Sequence, residues 1–380
     1  MLNTLLELMV FLEYVSYVLV RGGCFMVDYV EIDGSMGEGG GQILRYSLAL
    51  SAVLLKPVHI YNIRVKRSNP GLRPQHLTGV RALAAITGAK LQGASVGSLE
   101  IWFMPRHREG GYYRFDIGTA GSVTLVIQAI LPALLFADRD SIVEITGGTD
   151  VNWSPPVDYM RYIFLPMLKR LGVDIELEVK RRGHYPRGGG HVVLRVKRLI
   201  KHLSPINIVE RGEIAEIRGR SHCVRLPSHV AVRQAHSAEK IIFEKLGIRP
   251  SIEIEYYERG RDPHLGPGSG IVLYALCKNS ILGADSLGAR GKPAEKVGEE
   301  AAYKLLEELR SGMALDSHMG DMVIPYISLA SGGSCIGVSK LTLHTLTAIM
   351  VTRKFLPELD FRINGDEGEP ATICVEGLGL

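Results

Sequence analysis

The run Val30-Glu31-Ile32-Asp33-Gly34-Ser35-Met36-Gly37-Glu38-Gly39-Gly40-Gly41-Gln42-Ile43-Leu44-Arg45 changes character twice. It reads as strand Val30–Asp33, a glycine-rich turn, and an apolar helix over Gln42–Leu55. Outward from there come strand Val58–Val65, loop Lys66–Arg73 and a second helix over Pro74–Gly88. Proline at that helix's start and glycine past its end suit helix termini. The same order returns as strand Tyr113–Ile117, turn Gly118–Gly121, helix Val123–Leu135, strand Ile142–Ile145, loop Thr146–Pro155 and helix Pro156–Leu171. A shorter third copy has a turn at Gly320, helix Asp321–Ala330, strand Ser334–Val338 and helix Thr342–Phe355. Units repeated in this way bury their helices against one another.

Residues 205–313 break the pattern. They read as strand Glu213–Cys223, helix His229–Leu246, strands Ser251–Tyr257, Ile271–Cys277 and Ser280–Ser286, and helix Pro293–Arg310. The loop Gly260–Gly270, with Pro263 and Pro267, is a strong breaker. Arg182–Gly190 reads as an exposed hairpin loop. The expected fold is α+β: a large domain of three repeated β-α-β-α units, each a small sheet with two helices, and a smaller inserted α+β domain. The expected boundaries are 27–204 with 314–380 for the large domain and 205–313 for the insertion.

With 380 residues, the chain has room for two or three domains at about 150 residues each. Its 46% hydrophobic and 22% charged residues exclude a disordered chain. Lys and Arg number 44 against 40 Asp and Glu, too small an excess to indicate nucleic-acid binding by itself. The five cysteines form no C-x-x-C pair, which speaks against a zinc ribbon or a disulfide framework and for a reducing, cytoplasmic setting. Residues 1–26 form an N-terminal extension. Its apolar start carries Glu7 and Glu13 and no leading Lys or Arg, which weighs against a secretory signal or a membrane span and leaves an extra packed helix or an upstream start as the other readings. A strand pattern follows Met26 at once, so the working protein is expected to start near Met26.

The glycine run is neither a Walker A loop nor a dinucleotide fingerprint. Its free amides at a helix start suit a phosphate, and Glu38 suits a magnesium ion held between protein and phosphates. Arg45 lies one turn into the helix, within reach of an anion. The plain alternative is a tight turn with a solvated Glu and Arg. In Arg64–His76, strand alternation would put Arg64 and Lys66 on one face, with Arg67 and Arg73 flanking the Pro70-Gly71 turn. That cluster suits a phosphate, or equally a charged surface edge. Gln128, Trp153 and Pro155 follow glycine-rich turns; singly they read as turn and packing residues, and together with the first turn they could line a shared cleft. His344 opens an apolar helix, either as a cap or core residue or as an imidazole nucleophile toward phosphorus. His318 and Asp321 could position a nucleotide or metal, or simply start a helix.

These blocks together, namely Asp33–Arg45, Pro70–Leu77, Gly118–Gln128, Gly147–Pro156 and Leu343–Thr347, resemble the RNA 3′-terminal phosphate cyclases from about Val27 to Leu380. The resemblance implies ATP and a divalent ion, Mg2+ or Mn2+, and an RNA with a 3′-phosphate end. It implies a 2′,3′-cyclic phosphate product, formed through a histidine–AMP intermediate on His344 and an RNA(3′)pp(5′)A intermediate. Carried over by position, Glu38 meets the metal and triphosphate. Arg45, Arg64, Arg67, Gln75 and His76 hold the RNA phosphates. Gln128 and Pro155 border the adenosine, and His318 and Asp321 face the nucleotide. The family often has Gln at the position of Met322, and some members have Tyr at that of His318, so contacts there are expected to be rearranged. No membrane is implied, and a homodimer is left open. Three other readings remain: a non-catalytic cyclase-like factor in RNA processing or ribosome assembly, an enolpyruvyl transferase of the same repeated fold, and a pure RNA-binding module. The presence of His344 opposes the first, and the basic cluster with His344 opposes the second. Glu38 beside His344 has no use in the third.

Overall fold

In a computed structural model of the chain, residues 17–20, 23–26, 28–258 and 260–380 are described. The expectation about a start near Met26 falls largely outside them. Strands β1 (Tyr17–Val20) and β2 (Gly23–Met26) pair as a small antiparallel hairpin.

The remaining strands form four mixed four-stranded sheets, and the protein is α+β. The first sheet begins with β3 (Val30–Asp33), helix α1 (Gly41–Leu54), β4 (Val58–Tyr61) and α2 (Pro74–Thr87), and closes with β5 (Lys90–Gln92) and β6 (Ile101–Met104). The second has β7 (Tyr112–Asp116), α3 (Val123–Leu135) and β8 (Ser141–Gly147). Next come a helical stretch of α4 (Val157–Tyr159), a π-helical turn Met160–Phe164 and α5 (Leu165–Lys169), then β9 (Ile175–Arg181) and β10 (Gly190–Val196).

Strand β11 (Asn207–Ile208) then leads into the fourth sheet. That sheet holds β12 (Ile214–Val224), α6 (His229–Leu246), β13 (Ser251–Glu255), β14 (Gly268–Cys277), β15 (Ile281–Leu287) and α7 (Ala294–Arg310). The chain returns through α8 (Ser317–Met322) and α9 (Ile324–Leu329) to β16 (Ser331–Val338), α10 (Leu343–Phe355), β17 (Arg362–Asn364) and β18 (Ala371–Leu378).

Three sheets share one plan: first strand, second strand, fourth strand, third strand, with only the first pair parallel. The fourth sheet runs β13-β12-β14-β15. Residues Asn207 and Ile208 lie inside the stretch read as separate, yet they pair with Cys335 and Ile336 of the third sheet.

Burial explains the helix chemistry. Every residue of α3 is buried, as its all-round apolar sequence requires. Ser122 caps it, accepting from the Leu125 amide at 3.2 Å. Helices α6 and α7 are one-sided. In α6, Ala231, Gln234, Ala235, Ala238, Ile241 and Ile242 face inward. A Cβ at Gly298 would lie 2.1 Å from the Gln234 carbonyl, so glycine there lets the two helices touch. A second apolar core, including Ile217, Ile242, Leu273, Leu282 and Leu305, serves the fourth sheet. No helix among the described residues is long and apolar enough to cross a membrane.

Four expectations need correction. Strand β4 stops at Tyr61 and Arg64 adopts a φ of 55°, so alternation does not place Arg64 and Lys66 on one face. Gly320 lies inside α8 rather than in a turn, where a Cβ would press on Val338 at 3.0 Å. Arg182 is only 2% exposed, because Asp150, Asp158 and Glu255 surround its guanidinium. Cys335 and Cys374 face each other across β16 and β18 and are joined by a disulfide.

Candidate active site

The glycine run forms the loop into α1, whose N-cap is Gly40 with no side chain capping it and no acidic residue in its first turn. The first-turn amides are therefore left for a ligand. A Cβ on Gly40 would strike the Glu38 carboxylate and Arg67, and one on Gly41 would lie 2.5 Å from His76 Nε2 and 3.3 Å from Arg45 Nη1. The backbone is thus walled in by the side chains that could grip an anion. Glu38, with 6% of its side chain exposed, pairs with Arg67, which also donates to the Glu38 carbonyl at 3.2 Å.

Arg64 donates to the carbonyls of Asn69 at 2.7 Å and Gly71 at 2.9 Å, pinning the basic loop. Burial lowers its pKa, and the charges of Arg67 and Arg73 add to the effect. Burial likewise lowers that of Arg45, whose buried Nε has no hydrogen-bond partner among the described residues. His76 accepts the Arg73 amide at Nδ1 at 3.1 Å, which places its proton on Nε2, facing Gly41. Burial, then the charges of Arg64, Arg45 and Arg73, push its pKa down to about 3, so the ring is a neutral donor. Gln75 accepts the Ser122 amide at 2.9 Å and joins Arg45 and His76 around one hollow.

The second half of the site sits on α10. Thr342 caps that helix through the Thr345 amide, leaving His344 exposed in the first turn. Its Nδ1 lies 2.9 Å from Gln42 Oε1. The Gln42 amide nitrogen donates to Asp321 Oδ2 at 2.9 Å and to the His344 carbonyl at 3.0 Å. The amide oxygen can only accept, which puts a proton on Nδ1, so in the neutral ring the unshared pair is on Nε2. The Tyr46 hydroxyl donates to the same Asp321 oxygen at 2.9 Å. Burial raises the Asp321 pKa, against the hydrogen bond from Tyr46 and the charge of Arg45.

The halves are tied directly. The Glu38 amide donates to Thr347 Oγ1 at 3.1 Å, and that hydroxyl donates to the Leu343 carbonyl at 2.7 Å. The glycine nest is therefore anchored to the helix turn that carries His344.

Other sequence candidates sit further out. His318 is exposed on α8 and packs edge-on to Tyr159 with ring centroids 6.0 Å apart. Gln128, buried on α3, borders Tyr46, Met322 and Tyr326. The Pro155 carbonyl accepts the Thr124 hydroxyl at 2.8 Å, with no hydrogen bond from it to His344 or Gln42 among the described residues. Trp153 is 98% exposed and lines no cleft here. Sequence reading gave no role to Gln42, Tyr46 or Thr347. Gln42 and Tyr46 share a face of α1 at i and i+4, a spacing present in the expected helix Gln42–Leu55.

Fold and site together define an α+β protein in which an exposed histidine is tied through Gln42 and Thr347 to a glycine turn lined by Arg45, Arg67 and His76. A family model described as RNA 3′-terminal phosphate cyclase matches residues 36–363. An RNA 3′-terminal phosphate cyclase of Staphylothermus marinus is 66% identical over 355 residues, 93% of this chain and 99% of that protein. One from Desulfurococcus amylolyticus is 57% identical, with 93% and 99% covered. The chain belongs to the RNA 3′-terminal phosphate cyclase family of enzymes. Among solved structures, an EPSP synthase from Acinetobacter baumannii matches with a TM-score of 0.32 and 14% identity, over 96% of this chain and 71% of that one. A likeness that low adds nothing about this chain.

Proposed function

We propose that the chain uses ATP to convert an RNA 3′-terminal phosphate into a 2′,3′-cyclic phosphate, with His344 as nucleophile. The observation that carries this reading is the Gln42 contact, which holds the His344 proton on Nδ1 and leaves Nε2 free. Nε2 attacks the α-phosphorus of ATP, forming a P–N bond as the P–O bond to pyrophosphate breaks. An oxygen of the RNA 3′-phosphate then attacks that phosphorus. The P–N bond breaks, His344 is restored and RNA(3′)pp(5′)A forms. Finally the neighbouring 2′-hydroxyl attacks the 3′-phosphorus, loses its proton and expels AMP. The hydroxyl is adjacent in the same nucleotide, which converts the closure to an intramolecular step.

Arg45, Arg64, Arg67, Gln75 and His76 grip the RNA end and stabilise charge on phosphorus. His76 does so as a neutral Nε2–H donor. Gln128 and Pro155 border the adenosine, while His318 and Asp321 face the nucleotide. Glu38 fits an ion of the magnesium class, which binds through one or two carboxylates plus substrate phosphates. When bound, that Mg2+ or Mn2+ neutralises charge on the triphosphate oxygens. The large repeat domain, 27–204 with 314–380, carries all of these groups, and 205–313 is an insertion whose first residues return to the third sheet.

The test is turnover of an RNA bearing a 3′-phosphate with ATP and Mg2+. A phosphatase-resistant cyclic end that forms only with ATP supports the reading. No cyclic end, or one that forms without ATP, contradicts it.

A further inference from the structure

A second cluster of chemistry-bearing side chains lies away from His344. Asp150 follows β8, His184 sits in the β9–β10 hairpin, and His222 is on β12 of the fourth sheet. One potential ligand atom from each lies within 4.8 Å of the other two. All three residues are buried, with His222 only 1% exposed. Both ring nitrogens of His222 and Nε2 of His184 have no hydrogen-bond partner among the described residues. Buried polar atoms left this way are costly and rare, and here two imidazoles that carry them meet one carboxylate, a set that calls for a ligand.

The surroundings choose its charge. Arg182 is engaged by Asp158 at 2.5 Å and by Glu255 at 2.8 and 2.9 Å. Its contacts to Asp150 are longer, 3.3 and 3.4 Å. Arg161 adds to Asp158 and Arg220 to Glu255 and Glu253. Four carboxylates thus face three guanidinium groups, and Asp150 is bound to Arg182 only at these longer distances, its Oδ2 also accepting the Thr149 hydroxyl at 2.6 Å. The His184 ring lies over Gly268 of β14, where any Cβ would come within 2.0 Å of it.

We propose that Asp150, His184 and His222 form a binding site for one divalent transition-metal ion of the zinc class, tying the loops of the second sheet to the fourth. Two imidazoles and a carboxylate suit zinc and its neighbours better than magnesium or calcium. The site is distinct from Glu38, and the proposal stands whether or not the cyclase mechanism does.

The test uses the full chain, produced in medium supplemented with Co2+ and passed over chelating resin without ATP. The expected result is about one Co2+ per chain with the strong visible absorption of a four- or five-coordinate nitrogen–oxygen site. Both fall at least about tenfold in His222→Gln and in His184→Gln, and persist in Glu38→Gln. Metal loss should also lower the melting temperature of the wild type and leave that of the two histidine variants unchanged. If one histidine variant does not fold, the other and Asp150→Asn decide. Absence of retained Co2+ in the wild type, or full absorption in every folded variant of the three, overturns the proposal.

Discussion

His344 Nδ1 and Gln42 Oε1 lie 2.9 Å apart, joining residues 302 positions apart in the chain. The contact is directional, because Asp321 and the His344 carbonyl take both hydrogens of the Gln42 amide. Asp321 thus sets the orientation of Gln42, and Gln42 sets the tautomer of His344. Tyr46 holds Asp321 from the same helix face as Gln42.

Gln42→Leu removes that tautomer lock while keeping the helix. Self-adenylylation with ATP should slow by about 10–100-fold, the range typical of lost orienting partners. Single-turnover kinetics, with a melting curve to confirm folding, measure it. An unchanged rate would remove Gln42 from the mechanism.

Arg67 and Glu38 are paired before any phosphate arrives. Arg67→Ala should weaken use of the RNA end by about 1.5–3 kcal/mol, the worth of a hydrogen bond to a charged group. Labelling of the protein by ATP should change less. Comparing the ATP half-reaction with AMP transfer to RNA separates the two. Equal losses in both would place Arg67 on the triphosphate instead.

Arg182→Met leaves Asp150, Asp158 and Glu255 without their shared cation. Breaking a buried ion pair from one side costs about 3–5 kcal/mol. Denaturant unfolding should show a loss of that order. A change below about 1 kcal/mol would mean that water or a bound ion compensates.

Acid should destabilise the fold. Burial foremost, with Arg64, Arg45 and Arg73, lowers the His76 pKa from 6.5 to about 3. Between those values the unfolded ring binds a proton and the folded ring does not. The contribution is complete above about pH 6.5 and is lost as pH falls toward 3, by about 1.4 kcal/mol per pH unit. Unfolding free energies from pH 7 to 5 measure it. His76→Asn should flatten the slope by about one proton, and an unchanged slope would contradict the assignment.

Much of the fold could be read from local pattern. Helices Val123–Leu135 and His229–Leu246 match their expected bounds because apolar spacing marks them. Strand β11 has only two residues and depends wholly on β16, so no local pattern announces it. The glycine run, the basic loop and His344 were visible as motifs, since each carries unusual residue types in a short span. Their joining through Gln42 and Thr347 was not, because those contacts bridge distant parts of the chain. Arg182 looked exposed for the same reason. Its three carboxylates come from a β8 loop, α4 and β13, and only the fold assembles them. The cysteine pair is likewise a product of the β16–β18 register, not of spacing.

The most direct measurement incubates the protein with Mg2+ and ATP labelled at the α-phosphate, denatures it, and follows the label. The expected result is acid-labile label on the wild type, discharged by RNA with a 3′-phosphate and absent from His344→Ala. Folded, ATP-binding protein that takes no label would contradict the enzyme reading, and label surviving in His344→Ala would discard His344 as the nucleophile.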